Sequence, residues 1–192
     1  MPGGSSRPRD MLLDVARAPE PVDPREALRR AYRPSRVRVL FVGESAPASG
    51  RFFYQQDSGL FRAARDAYLA AFPSVPPERF LDDFAERGCW LVDLCAKPVD
   101  DLAPPARRRA CRDGEAALTA VLGELRPPAI VVLLRSIARH VDRSVAAAGW
   151  RGERLDLPYP GRWAASRRRF VDGLVPSLER WSREVLLAAG DD

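Results

Sequence analysis

Three short apolar runs rich in β-branched residues punctuate this chain: Val37 to Val42 (VRVLFV), Cys89 to Leu94 (CWLVDL) and Ala129 to Leu134 (AIVVLL). Each is too short for a buried helix, and each reads as a strand covered on both faces. A fourth, shorter strand is expected at Glu153 to Leu157. The intervening segments carry helix punctuation. Ser58 is placed to cap a helix running to about Ala71, and Gly88 stops an amphipathic stretch from Pro77 to Arg87. A long helix from about Ala106 to Leu125 is broken by Pro127-Pro128. Further helices are expected from Ser136 to about Ala148 and from Arg167 to Ala189, with two short ones, Met11 to Ala18 and Pro24 to Tyr32, covering one edge. Strands alternating with helices imply an α/β fold. The expected form is a three-layer α/β/α sandwich with a central, mainly parallel four-stranded sheet. Residues 1–9, rich in Gly, Ser, Pro and Arg, are expected to be a disordered tail, leaving 10–192 as one domain.

Composition narrows the function classes. The chain has 31 basic and 26 acidic residues, a net charge of +5, which permits a nucleic-acid partner without requiring one. Lys97 is the only lysine. Chemistry that needs an amine to form a Schiff base therefore has few candidates, and simple hydrolysis is favoured. The three cysteines, Cys89, Cys95 and Cys111, form no C-x-x-C pair, so neither a disulfide framework nor a zinc ribbon is expected. No apolar h-region follows Met1 and no stretch is long enough to span a bilayer. The expectation is a cytoplasmic monomer with no membrane association, no metal and no cofactor.

In a parallel sheet, ligands sit beyond the carboxyl ends of the strands. The segments at those ends are Gly43 to Tyr54, Asp93 to Lys97, Leu134 to Ser136 and Leu157 to Trp163. The first, G-E-S-A-P-A-S-G-R-F-F-Y, sets a carboxylate directly after a strand and then aromatics on a loop stiffened by Pro47. It lacks the G-x-G-x-x-G spacing of a dinucleotide site.

This stretch resembles the first motif of the uracil-DNA glycosylase superfamily, in the branch that reads G-E-A-P-G followed by G-R-P-F. Gly43-Glu44 matches the G-E, and Gly50-Arg51-Phe52-Phe53 matches G-R-P-F. Trp90 to Asp93 (W-L-V-D) is similar to that branch's Y-I-T-N, Ala110-Cys111, Leu125-Arg126-Pro127 and Ile130 to Leu134 resemble its helix and third strand, and Leu157-Pro158-Tyr159-Pro160 falls where the superfamily has its H-P motif. The similarity runs in order from about Val37 to Trp163. There are departures. One extra residue separates Glu44 from Pro47, Asp93 replaces an asparagine, and Leu157 replaces the histidine that stabilises the leaving base. The branch's iron–sulfur cluster needs four cysteines, so no cluster is expected.

The resemblance implies base flipping and hydrolysis of an N-glycosidic bond in DNA. Glu44 would orient or deprotonate the attacking water, with Ser45 binding the water or a phosphate. Phe53 would stack on the flipped base, Tyr54 would wall the pocket, and Pro158 would belong to the base site. Asp93 would meet the base edge. As an anion it only accepts hydrogen bonds, which suits the amino group of a cytosine-type base better than the O4 of uracil. Arg162 or Trp163 would fill the gap in the duplex, and Arg167, Arg168 and Arg169 would meet phosphates. Other readings stay open for these residues. Glu44 also suits an N-cap or an ion pair, and Asp93 a cap or a pairing with an arginine such as Arg135. His140 falls on a helix away from the motifs.

The expected function is that of a monofunctional DNA glycosylase acting on a modified pyrimidine, including the decorated cytosines of phage DNA in an antiviral role. Alternatives are uracil removal in DNA repair, a non-catalytic DNA-binding module of the same fold, and a hydrolase of free nucleosides.

Overall fold

The computed structural model describes residues 23–161 and 163–186, with the side chains of 185 and 186 outside that description. The tail expected at residues 1–9 and the helix expected at Met11 to Ala18 lie outside the described residues.

Four strands form one sheet: β1 (Val39–Gly43), β2 (Cys89–Asp93), β3 (Ala129–Val132) and β4 (Glu153–Asp156). Their order is β2-β1-β3-β4, and every neighbouring pair is parallel. β1 and β3 are the central strands and are buried throughout, which is what unbroken Val, Leu and Ile runs demand. β4 is an edge strand whose Glu153 and Asp156 are exposed, and such charges discourage pairing with another chain.

The helices are α1 (Pro24–Ala31), α2 (Gly59–Ala71), α3 (Phe80–Glu86), α4 (Pro104–Leu125), α5 (Ala138–Ala148) and α6 (Ala164–Trp181). α2 packs on α6 and α4 packs on α5, the two outer layers of an α/β/α sandwich. Local chemistry sets the ends. The Ser58 hydroxyl accepts the Phe61 N–H at 3.0 Å, and Asp23 caps α1 ahead of Pro24. α4 ends in a left-handed Arg126 followed by Pro127, and α5 ends on Gly149 at φ 60°. Glu115 on α4 ties the layer together by meeting His140 and Arg143 of α5.

α1 has no buried residue and leans on the edge strand β2 through polar contacts. The Trp90 indole donates to the Arg29 carbonyl at 3.2 Å, and Tyr32 stacks on Tyr54 at 5.4 Å. Among the described residues no helix is long and apolar enough to cross a membrane.

Candidate active site at the carboxyl edge of the sheet

The parallel strands deliver their carboxyl ends to one edge, and a cavity of about 360 Å³ opens there. Gly43, Glu44 and Ser45 reach it from β1, Leu91 and Asp93 from β2, Leu134 from the segment after β3, and Tyr159 from the segment after β4. The loop from β1 is held in place by its neighbours. Cys95 N–H donates to the Glu44 carbonyl at 2.8 Å, and Ala48 N–H donates to the Asp100 carboxylate at 2.9 Å. Val99 N–H donates to the Ser45 hydroxyl at 3.3 Å, and Phe52 N–H to Asp57 at 2.7 Å. Gly50 takes a φ of 89°, a conformation glycine adopts at little cost. The loop is thus shaped before any ligand arrives.

Both expected carboxylates, Glu44 and Asp93, line the cavity, and each is ion-paired to an arginine. Glu44 is 7% exposed. It is held by a two-pronged contact with Arg107 from the first turns of α4: Nε donates to Oε1 at 2.7 Å and Nη2 to Oε2. The Cys111 thiol lies 3.7 Å from Oε1 and equally far from the Cys95 sulfur. Burial pushes Cys95 up to about 12 and raises Cys111 as well, so both stay thiols at neutral pH.

Asp93 pairs with Arg29 of α1, not with Arg135: Nη2 donates to Oδ2 at 2.6 Å. Arg29 in turn binds Glu26 and lies over the Phe52 ring, 5.3 Å from its centroid. Burial raises the Asp93 carboxyl above its ordinary range, and the Arg29 guanidinium draws it part of the way back. Oδ1 accepts no hydrogen bond among the described residues. It sits where a β-carbon on Gly43 would stand 2.5 Å away, so the glycine that ends β1 makes the room this carboxylate needs.

Phe53 lines the cavity but is only 3% exposed, with Tyr54, Phe61, Phe80 and Phe84 around its ring. Phe52 stands beside it on the same wall. The motif match assigns stacking to Phe53 alone, whereas both phenylalanines line this cavity.

Two expectations need correction, and a third residue has a partner of its own. Tyr54 is not on the cavity wall. Its hydroxyl accepts from Leu91 N–H at 2.8 Å and donates to the Leu91 carbonyl at 3.1 Å, which fastens the loop to β2. Pro158 does not line the cavity either. Leu157 extends the sheet by donating to the Val132 carbonyl at 2.8 Å, and its side chain turns into the core against Gly173. Tyr159 is the residue of this segment that reaches the cavity. Arg167 is occupied. It pairs with Asp66 on α2 and so joins α6 to α2.

Trp163 stands at the start of α6 and is 67% exposed. Arg168 and Arg169 are exposed on the first turns of α6, and Arg162 lies outside the described residues. A second cationic surface flanks the cavity on α4, where Arg108, Arg109 and Arg112 are exposed and none forms an ion pair among the described residues. The run R-R-R-A-C-R was a visible signal, and only its position beside Arg107 gives it meaning. His140 is bound to Glu115 on the α4–α5 layer, away from this cavity. Among the described residues no cluster of His, Cys, Asp and Glu is arranged to hold a metal ion.

Comparison with protein-family models and with curated proteins finds no match for the chain. The functional reading therefore rests on the site itself and on the motif resemblance.

Proposed function

We propose that this protein is a monofunctional DNA glycosylase that removes a modified, cytosine-type pyrimidine. The observation that carries the reading is the joint presence of Glu44, Asp93 and the Phe52–Phe53 wall on one preformed cavity. Breaking an N-glycosidic bond builds positive charge on the sugar and negative charge on the base. Glu44, gripped by Arg107, supplies negative charge for the sugar side and the acceptor that orients water. The two phenylalanines supply an apolar wall for a flat ring. Asp93 lines the same cavity with Oδ2 on Arg29 and no hydrogen bond to Oδ1 among the described residues, and in its ionised form it presents acceptors only. An exocyclic amino group satisfies that oxygen, whereas a carbonyl oxygen is repelled. Rejection of ordinary cytosine then falls to contacts with the modification. DNA is the proposed partner, its phosphates meeting the exposed arginines of α4 and α6.

The test is excision from oligonucleotides carrying uracil, cytosine, 5-methylcytosine or 5-hydroxymethylcytosine, followed by alkali to reveal abasic sites. Breaks at a modified cytosine support the reading, and breaks at uracil alone support a repair enzyme instead.

A second reading, a DNA-binding module without catalysis, draws on one observation. The segment that would carry a motif histidine has Leu157 there, buried at 2% exposure. DNA binding without excision of any base would favour it.

A further inference from the structure

The three cysteines share no redox motif in sequence, and the chemistry proposed above uses none of them. The fold nevertheless brings two of them together. Cys95 lies in the segment after β2, and Cys111 sits two turns into α4. Their sulfurs stand 3.7 Å apart, with the Cys95 thiol donating toward Cys111. Backbone packing sets this meeting. Gly114, one turn beyond Cys111, lies so close to the residue before Cys95 that a β-carbon there would stand 2.0 Å from the Leu94 carbonyl oxygen. Only a glycine lets α4 come this near.

The pair is joined to Glu44 twice over. The Cys111 thiol faces Glu44 Oε1 at 3.7 Å, and Cys95 N–H holds the Glu44 carbonyl at 2.8 Å. Arg107, which grips the same carboxylate, lies four residues before Cys111 and so shares its face of α4. Both thiols are buried, but Glu44 and Arg107 line the cavity. An oxidant that enters the cavity is therefore one side chain away from the sulfurs. A peroxide is small enough for that approach, and a bulky disulfide such as oxidised glutathione is not. The two sulfurs also differ. Burial raises both thiols, but the Cys95 thiol and the Arg107 guanidinium draw Cys111 back, whereas Cys111, Glu44 and Asp93 only add to the rise of Cys95. Cys111 is thus the nucleophile of the pair.

We propose that Cys95 and Cys111 are a peroxide-sensitive switch, closing to a disulfide that disarms Glu44. The bond itself stands apart from the glycosylase reading, and its effect on excision rests on that reading. In the first step the Cys111 sulfur attacks one peroxide oxygen, the O–O bond breaks, and the thiol proton joins the leaving hydroxide as water. The Cys95 sulfur then attacks the Cys111 sulfenic acid. The S–O bond breaks, the S–S bond forms, and hydroxide leaves with the Cys95 proton as a second water. The two sulfurs give up two electrons in all, and the peroxide accepts them. A disulfide holds its sulfurs about 2.0 Å apart, so closure draws on the turn of α4 that also carries Arg107. It leaves Glu44 Oε1 facing a sulfur with no proton to share. A dithiol reverses the step by exchange.

The test treats the full chain with hydrogen peroxide, blocks the remaining thiols with iodoacetamide under denaturing conditions, and maps the peptides by mass. The peptides bearing Cys95 and Cys111 should be joined, with Cys89 alkylated. Excision of the base that wild type removes should fall about tenfold to a hundredfold, because a small misplacement at a reacting site costs that much. Dithiothreitol should restore the rate. Cys111→Ser, compared with its own untreated rate, should be indifferent to peroxide. Both cysteines alkylated after treatment would overturn the proposal, as would a joined pair with an undiminished rate or equal sensitivity in Cys111→Ser. A joined pair in a protein inert on every base would overturn the glycosylase reading and leave the redox pair standing.

Discussion

Arg29 Nη2 lies 2.6 Å from Asp93 Oδ2, so the carboxylate expected to read a base arrives already paired with a cation from a different element. The pairing decides which partner the open oxygen accepts. Replacing Asp93 by asparagine removes the anion and adds a donor. A base-edge contact discriminates by about 1–3 kcal/mol, so Asp93→Asn should lose roughly tenfold to a hundredfold on a modified cytosine and gain on uracil. Excision rates of the two proteins on both bases check this.

The same carboxyl predicts a pH dependence. Burial raises it and Arg29 only partly reverses the shift, so its protonation falls above the ordinary carboxylate range. A raised acid is protonated as pH falls through that value, and a protonated Asp93 can donate. Activity on a modified cytosine should therefore drop on the acid side, with an inflection above that of a free aspartate. The inflection should be absent from Asp93→Asn.

Gly43 and Asp93 are register partners, and the space above the glycine is filled by Oδ1. Gly43→Ala should displace the carboxylate and weaken base discrimination while DNA affinity stays the same. Excision of paired substrates by this variant, beside a DNA-binding titration, checks that outcome.

The fold was legible because its signals are local and strong. Val39 to Val42 and Ala129 to Val132 are unbroken apolar strands, Ser58 is a cap, and Gly88 and Pro127 are stops. Strand ends moved by a few residues where pairing, and not hydrophobicity, decides the boundary. Glu44 and Asp93 were legible as residues of the strand-end cavity because each directly follows or ends a buried run. Their partners Arg29 and Arg107 were not. They lie 64 and 63 residues away in sequence, on helices whose docking no local pattern encodes. The direction of side chains after β4 was also hidden. Leu157 continues the sheet pairing and turns inward, which hands the cavity to Tyr159.

Ion pairs separate the two arginine clusters. Arg167 is held by Asp66, whereas Arg108, Arg109 and Arg112 have no acidic partner among the described residues. Changing the α4 trio to alanine should reduce the salt slope of DNA binding by about 2–3, since each phosphate contact adds about 0.9. Arg167→Ala should lower thermal stability by about 0.5–1 kcal/mol and leave that slope nearly unchanged.

Glu115 offers a stability test away from the cavity. Arg143 and His140 hold its carboxyl down at about 2. A depressed acid stabilises the fold above its unfolded value and loses that contribution as pH falls toward the folded one. Glu115→Gln should cost about 1 kcal/mol at neutral pH, since Arg143 is half exposed and solvent screens the pair. The gap between variant and wild type should close between about pH 4.5 and 2, measured by denaturant unfolding.

The most direct test of the central claim is base excision by wild type and Glu44→Gln on one set of oligonucleotides carrying modified cytosines and uracil. Wild type should produce strand breaks at a modified cytosine only after alkali treatment. Glu44→Gln should be slower by about a hundredfold or more while binding the same DNA. Intact strands after alkali for every base, or equal rates for the two proteins, would contradict the account.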